Sequence, residues 1–282
     1  MRKLSSLLGA MGVVGVCLAL AMTGVAQDQP DTKPAPKKKP TTQPAGAPLK
    51  VATQPATPNA PPEPEGMVKI FNGKDLTDWD GDPRLWSVKD GCIRGETTKE
   101  NPTKGNTFCI WKGGTVGDFE LRLTYRLASG NSGIQYRSKH YADAKAANKW
   151  VVGGYQAEVA GAPARDGYIY EEKGKRGRMC LVGEKVLWTA EGRKLLGTLG
   201  DASSIAAAVK AKDWNDYIII VKGNHIQHFI NGVQQIDFTD EDPKNQAMSG
   251  IIALQIHAGG PMVVEFKNIR LKKYNDPEKD KK

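Results

Sequence analysis

The chain has 282 residues, 39% of them hydrophobic and 25% charged, with a formal net charge of +9. About +4 of that charge falls in the part that reads as folded, because Arg2 and Lys3 open a leader, the segment after it adds one net positive charge and the closing segment from Lys272 adds two. A surplus that small, with no basic stripe interleaved with aromatics, argues against nucleic acid as a partner.

Residues 1–26 begin with Arg2 and Lys3, continue as the apolar run "LLGAMGVVGVCLALAM" and close on the small residues "TGVA". That is the layout of a secretory signal peptide cleaved after Ala26, and the run is short for a span of about 20 apolar residues. The mature protein is therefore expected to be exported, periplasmic or extracellular, with no stable membrane insertion. Residues 27–66 are rich in Pro, Ala, Thr and Lys and almost free of large apolar side chains. Such a composition buries too little surface to offset the entropy of ordering and is expected to form a disordered linker. Residues 67–274 are long enough for one domain with a sizeable core, and 275–282 form a charged tail.

Through that domain the hydrophobic pattern has period two, punctuated by turns. "LWSVKDGCIRGE" reads as a hairpin turning at Asp90-Gly91, and "NTFCIWKG" as the next strand. In "FELRLTYRLA" the residues Phe119, Leu121, Leu123, Tyr125 and Leu127 alternate with Glu120, Arg122, Thr124 and Arg126. "GIQYRS", "GYQAEVA", "GYIYEE" and "MCLVGEKVLWTAE" follow. "DYIIIVKGNHIQHFINGVQQIDFTD" holds three strands, and the Asn231-Gly232 break is a strong type I′ turn signal. "GIIALQIHA" and "MVVEFKNIRLKKY" close the domain, and "DASSIAAAVKAKDW" reads as its one helix, with Asp201 as N-cap. Ten to twelve short strands with one small helix and no repeat of about 40–50 residues predict an all-β, two-sheet sandwich of jelly-roll type rather than a propeller.

Three strands distant in sequence each place a glutamine two residues from an ionisable group. Gln135 and Arg137 share a face opposite Ile134 and Tyr136. Gln156 and Glu158 lie opposite Tyr155, Ala157 and Val159, and Gln255 and His257 lie opposite Leu254 and Ile256. Antiparallel sheets usually have a solvent face, and the charges and Thr124 at 120–126 show what a plain one looks like in this chain. The repeated doublets differ, because glutamine donates and accepts together, as sugar hydroxyls require. "DGYIYEEKGKRGR" adds Tyr168, Tyr170, Glu171, Glu172 and Arg178, with Lys173, Lys175 and Arg176 read as a solvated loop. If 169–172 is a strand, Glu171 and Glu172 point to opposite faces and at most one can serve a site. His225 and His228 do not share a strand period, which removes them as a metal pair. After the leader, Cys92, Cys109 and Cys180 remain. None forms a CxxC pair, and their apolar neighbours favour core packing, with one disulfide and a free thiol as the other reading. No loop is acidic enough to claim a calcium site, so no cofactor is assigned, and a divalent cation such as calcium stands as an alternative that no motif supports.

Several segments occur together in one order: "IFNGKDLTDW", "WSVKDGCIRGE", "GDFELRLTYRL" with "GNSGIQYRS", "GGYQAEV", "GYIYEE", "DWNDYIIIVKGNHIQHFINGV" and "SGIIALQIHAGGPMVVEFKNIRLKK". This ordered set resembles the 3-keto-disaccharide hydrolase domain family, of the 3-keto-glucoside 1,2-lyase and hydratase type, over residues 66–274. The resemblance implies a concanavalin A-like jelly roll holding a sugar on its concave sheet, and cleavage of glycosides already oxidised at C3. Residue chemistry then distributes the roles. Glu158 is the first choice for the base, with His257 as alternative base or as acid, and Arg137 is the cation for an enolate. Gln135, Gln156 and Gln255 would orient hydroxyls, Tyr170 would stack or donate a proton, and Glu172 and Arg178 are further carriers. Where many relatives read Tyr-Glu-x-Gln, this chain reads "YQAE", exchanging Glu and Gln along one face. Two other readings stand beside this one: a non-catalytic, lectin-like carbohydrate-binding module, and an ordinary two-carboxylate glycosidase.

Overall fold

The structure, a computed structural model, describes residues 54–141 and 148–275. The expected leader, most of the linker and nearly all of the tail lie outside the described residues. In chain order the strands are β1 (Val68–Lys69), β2 (Trp79–Asp80), β3 (Trp86–Lys89), β4 (Cys92–Thr97), β5 (Thr107–Trp111) and β6 (Phe119–Ser129). Next come β7 (Ser132–His140), β8 (Val152–Val159), β9 (Ile169–Glu172), β10 (Arg178–Cys180), β11 (Glu184–Thr189) and β12 (Gly192–Thr198). Helix α1 (Ala202–Ala206) precedes β13 (Asn215–Lys222), β14 (His225–Ile230), β15 (Val233–Asp240), β16 (Ile251–Ile256) and β17 (Met262–Lys273).

The strands form two sheets packed face to face, a concanavalin A-like jelly-roll sandwich. One sheet has ten strands, ordered β12-β11-β15-β14-β13-β6-β17-β4-β3 with β1 added beside β17. The other has seven, ordered β10-β9-β8-β7-β16-β5-β2. Alternation decides which face each strand turns inward. Phe119, Leu121, Leu123, Tyr125 and Leu127 of β6 meet Ile134, Tyr136, Tyr155, Ala157, Leu254 and Ile256 of the smaller sheet in one core. Both predicted two-residue turns form. Asp90 and Gly91 have φ of 50° and 73°, and Asn231 and Gly232 have 49° and 82°, the paired positive φ that a type I′ turn needs.

Strand β12 escaped the sequence pattern because it is an edge strand with little buried side chain: Leu195 and Leu196 are exposed. The helix is much shorter than the expected 201–214. Asp201 caps it through the amide of Ser204 as expected, but the side chain of Asn215 binds both the amide and the carbonyl of Lys210 and turns the chain into β13. Cys92, Cys109 and Cys180 are free and buried. Among the described residues no helix is long and apolar enough to cross a membrane.

The expected linker requires a correction. Residues 54–65 lie as a strap across the outer face of the ten-stranded sheet. The amides of Asn59 and Ala60 bond to Gly232, the Arg122 guanidinium donates to the carbonyls of Pro61 and Pro62, and Glu63 pairs with Arg270. Ala60 covers Ile218, Ile220 and Phe229, which point outward from this sheet. Composition could not show this, because the strap supplies backbone carbonyls and proline rings to a face whose own side chains make the contacts. A chain starting at residue 66 is therefore expected to be less stable than one starting at 54, by on the order of 2 kcal/mol or about 4–8 °C in Tm. Thermal denaturation of the two chains checks this, and equal midpoints would show that the strap adds nothing.

Candidate functional site

The outer face of the seven-stranded sheet divides in two. Toward β5 it is apolar, with Phe108, Ile110, Val152 and Ala253 packed under Trp150. Toward β9 it becomes a polar cleft of about 300 Å³, lined by Asn106, Asn131, Gln156, Glu158, Arg165, Tyr168, Tyr170, Glu172, Arg178 and His257. Strand register builds the floor. Gln156 of β8 lies opposite Tyr170 of β9, Gly154 lies opposite Glu172, and the amide of Glu158 bonds to the carbonyl of Tyr168. On the other side of β8, Gly133 of β7 lies opposite Glu158. A Cβ on Gly133 would stand 2.4 Å from Cδ of Gln156, so the missing side chain there lets Gln156 lie across β7.

Two carboxylates are each held by two side-chain amides. Glu158 accepts from Asn131 Nδ2 at 2.7 Å and from Gln156 Nε2 at 2.9 Å, and is only 3% exposed. Glu172 accepts from Asn106 Nδ2 at 3.1 Å and from Gln255 Nε2 at 3.3 Å. Gln255 lies on β16, with β7 and β8 between it and β9, so this contact spans the concave floor. Glu172 is half-buried, and burial pushes its carboxyl above the usual carboxylate range, against the opposing effects of the Asn106 hydrogen bond and of His257. His257 stands exposed just past β16. Its Nδ1 donates to the carbonyl of Ala258, and Nε2 is the ring nitrogen outside that bond.

The far wall is Tyr168 and Tyr170 with two arginines. Burial raises the pKa of both phenols, so both stay protonated as donors. Arg165 is carried by the loop between β8 and β9, and the adjacent Asp166 holds that loop from beneath. One Asp166 oxygen accepts the amides of Ala160 and Gly161, the other accepts the Tyr125 hydroxyl, and burial pushes this carboxyl up to about 6. His228 closes the same base. It accepts the Tyr136 hydroxyl at Nε2, donates from Nδ1 to Gly167 O, and is held neutral by burial, its pKa pushed down to about 4. No group of three or more His, Cys, Asp or Glu side chains among the described residues is placed to hold a metal ion.

Residues 66–272 match the family described as the 3-keto-alpha-glucoside-1,2-lyase-like domain, well over half of the chain. The chain belongs to that family. Its function is accordingly carbohydrate-related. No curated protein matches the chain. Solved structures similar to it include a candidate glycosyl hydrolase from Parabacteroides distasonis, at 19% identity and a TM-score of 0.47, covering 75% of this chain and 95% of that one. The carbohydrate-binding module CBM66 from Bacillus subtilis is similar at 14% identity and a TM-score of 0.45, covering 70% and 97%. A Bacillus subtilis protein of unknown function with a galectin-like fold is similar at 10% identity and 0.48, covering 70% and 90%.

Within this 3-keto-alpha-glucoside-1,2-lyase-like domain, seven of the residues singled out from sequence line the cleft: Gln156, Glu158, Tyr168, Tyr170, Glu172, Arg178 and His257. Gln135 and Gln255 lie beneath it. Gln135 is fully buried and donates to Gln156, and Gln255 is fully buried and donates to Glu172, so both support residues that line the cleft. Arg137 is a correction. A register shift follows Tyr136, Arg137 takes φ of 46°, and its side chain leaves the face of Gln135. It is 1% exposed, and its guanidinium bonds to Gly117, Gly223 and Ala247 carbonyls and to Asp118. Glu171 faces away from the cleft and pairs with Arg176, so of the two adjacent glutamates only Glu172 serves the site. Arg176 itself is buried between Glu171 and Asp240 rather than solvated in a loop. The sequence reading missed Asn106, Asn131 and Arg165. They come from connections, where no strand period assigns a face, although Asn131 belongs to the "SGNSG" turn beside a doublet strand.

Proposed function

We propose that this domain is an exported enzyme that cleaves glycosides already oxidised to a ketone at C3, by elimination and then hydration. The ketone acidifies the C2 proton. A base removes that proton, its electron pair forms the enolate, and collapse of the enolate expels the C1 substituent, which takes a proton as it leaves. Water then adds at C1 of the resulting enone and a proton returns to C2, so the net change is hydrolysis. The observation that carries this reading is the pairing of Glu172 with His257 in one cleft: a half-buried carboxyl held above its usual range beside an imidazole with Nε2 open. Glu172 takes the C2 proton and His257 protonates the leaving oxygen. Tyr170, kept protonated by burial, is the donor for the enolate oxygen. Glu158 was the first choice for the base from sequence. With 3% exposure and an amide on each oxygen, it is suited to orienting hydroxyls, which favours elimination over an ordinary glycosidase that needs two working carboxylates.

The test uses the chain from residue 54 with a chromogenic glucoside, the same glucoside oxidised at C3, and the oxidised form deuterated at C2. The expected result is release from the keto substrate alone, slowed by deuterium, with a transient enone absorbance. Release from the unoxidised glucoside at a comparable rate would transfer the site to two-carboxylate hydrolysis. Binding of both without release from either would leave a lectin-like module.

A further inference from the structure

Ten arginines lie among the described residues, and nine of them reach a carboxylate within ion-pair distance. The exception is Arg178, and it lines the cleft. It opens β10 in register with Tyr170, is exposed, and carries its guanidinium 5.7 Å from the centre of the Tyr168 ring. Arg165, from the connection between β8 and β9, also lines the cleft and bonds to the Tyr168 hydroxyl. Its side chain is 49% exposed, and its only carboxylate contact, with Glu158, is 4.0 Å long. Two weakly compensated guanidiniums thus share one tyrosine of the cleft wall. The elimination described above uses neither of them.

A planar guanidinium fixed against an aromatic ring in a concave site is suited to bidentate recognition of an oxyanion. We propose that Arg178 and Arg165 form a subsite for a carboxylate or sulfate carried by the substrate outside the reacting C1–C3 carbons, so that the preferred substrates are anionic 3-keto-glycosides. This rests on the elimination reading for the chemistry but not for the binding.

The experiment measures Kd by calorimetry for three unoxidised probes, phenyl glucoside, 4-carboxyphenyl glucoside and 4-sulfatophenyl glucoside, at two salt concentrations. At least one charged probe is expected to bind about tenfold more tightly than the neutral one, with the advantage shrinking as salt rises. Arg178→Met should bring the ratio close to one, and Arg178→Lys should restore part of it. The carboxylate and sulfate arms show which oxyanion the subsite takes. Equal affinity for all three probes, or binding of none, would overturn the subsite. Turnover of the 3-keto forms of the same compounds runs alongside. Cleavage without charge preference would overturn the subsite and keep the elimination, and charge preference without cleavage would keep the subsite and overturn the elimination.

Discussion

Glu172→Gln is expected to lower kcat on a 3-keto-glucoside by about 10²–10⁴-fold while Kd for the unoxidised glucoside changes little. The amide keeps the size of the side chain and its packing on β9, but it cannot take the C2 proton. The pH profile carries a second signature. A base must be deprotonated to act, and burial holds Glu172 above the ordinary carboxylate range, so the rate should rise with pH through a midpoint displaced upward from that range. The variant should lose that limb together with its rate. Glu158→Gln should behave differently. Glu158 accepts from Asn131 and Gln156, and an amide turned toward them would set NH₂ against NH₂ on one side, so hydroxyl positioning and KM should suffer more than the chemical step. Steady-state kinetics of the two variants across pH decides between them. If Glu158→Gln loses the pH limb and Glu172→Gln retains it, the assignment of base is reversed.

Arg137→Met is expected to cost about 3–5 kcal/mol of stability, on the order of 10 °C in Tm, with kcat of the folded enzyme nearly unchanged. The guanidinium is enclosed, and it ties the carbonyls of Gly117, Gly223 and Ala247 to the carboxylate of Asp118, which also accepts the amide of Gly223. Removing it leaves those carbonyls without their donor and Asp118 without its cation, at the point where three connections meet. Lysine can restore a charge but not the fork that reaches four acceptors, so Arg137→Lys should recover only part of the loss. Denaturant unfolding and active-site-normalised kinetics measure the two quantities separately. A large fall in kcat with stability retained would return Arg137 to the catalytic role that its place in the sequence invited.

These two residues show where sequence reading stops. Period two assigned Gln135, Gln156, Glu158 and Gln255 to one outer face, opposite the core side chains Ile134, Tyr155, Ala157, Leu254 and Ile256, because alternation along an extended backbone is a local property. The same period placed Arg137 beside Gln135. One extra residue after Tyr136 cancelled that, since a bulge reverses every side-chain direction beyond it and leaves no mark in the hydrophobic pattern. The sandwich, both type I′ turns and the Asp201 cap were likewise legible, each being a short-range preference of the residues concerned.

Other features depended on segments far apart meeting in space. Asn106 on Glu172, Asn131 on Glu158 and the strap on Arg122 are contacts between a connection and a strand face. The division of labour proposed for the two cleft carboxylates rests on contacts of the same kind. Both glutamates were candidates by type, and only burial and the neighbourhood of His257 distinguished them. The sequence by itself determined which residue types could share a sheet face. The tertiary structure decided which of them share a cleft, because desolvation and hydrogen-bond partners are set by whatever packs alongside, and most of what packs there is remote in the chain.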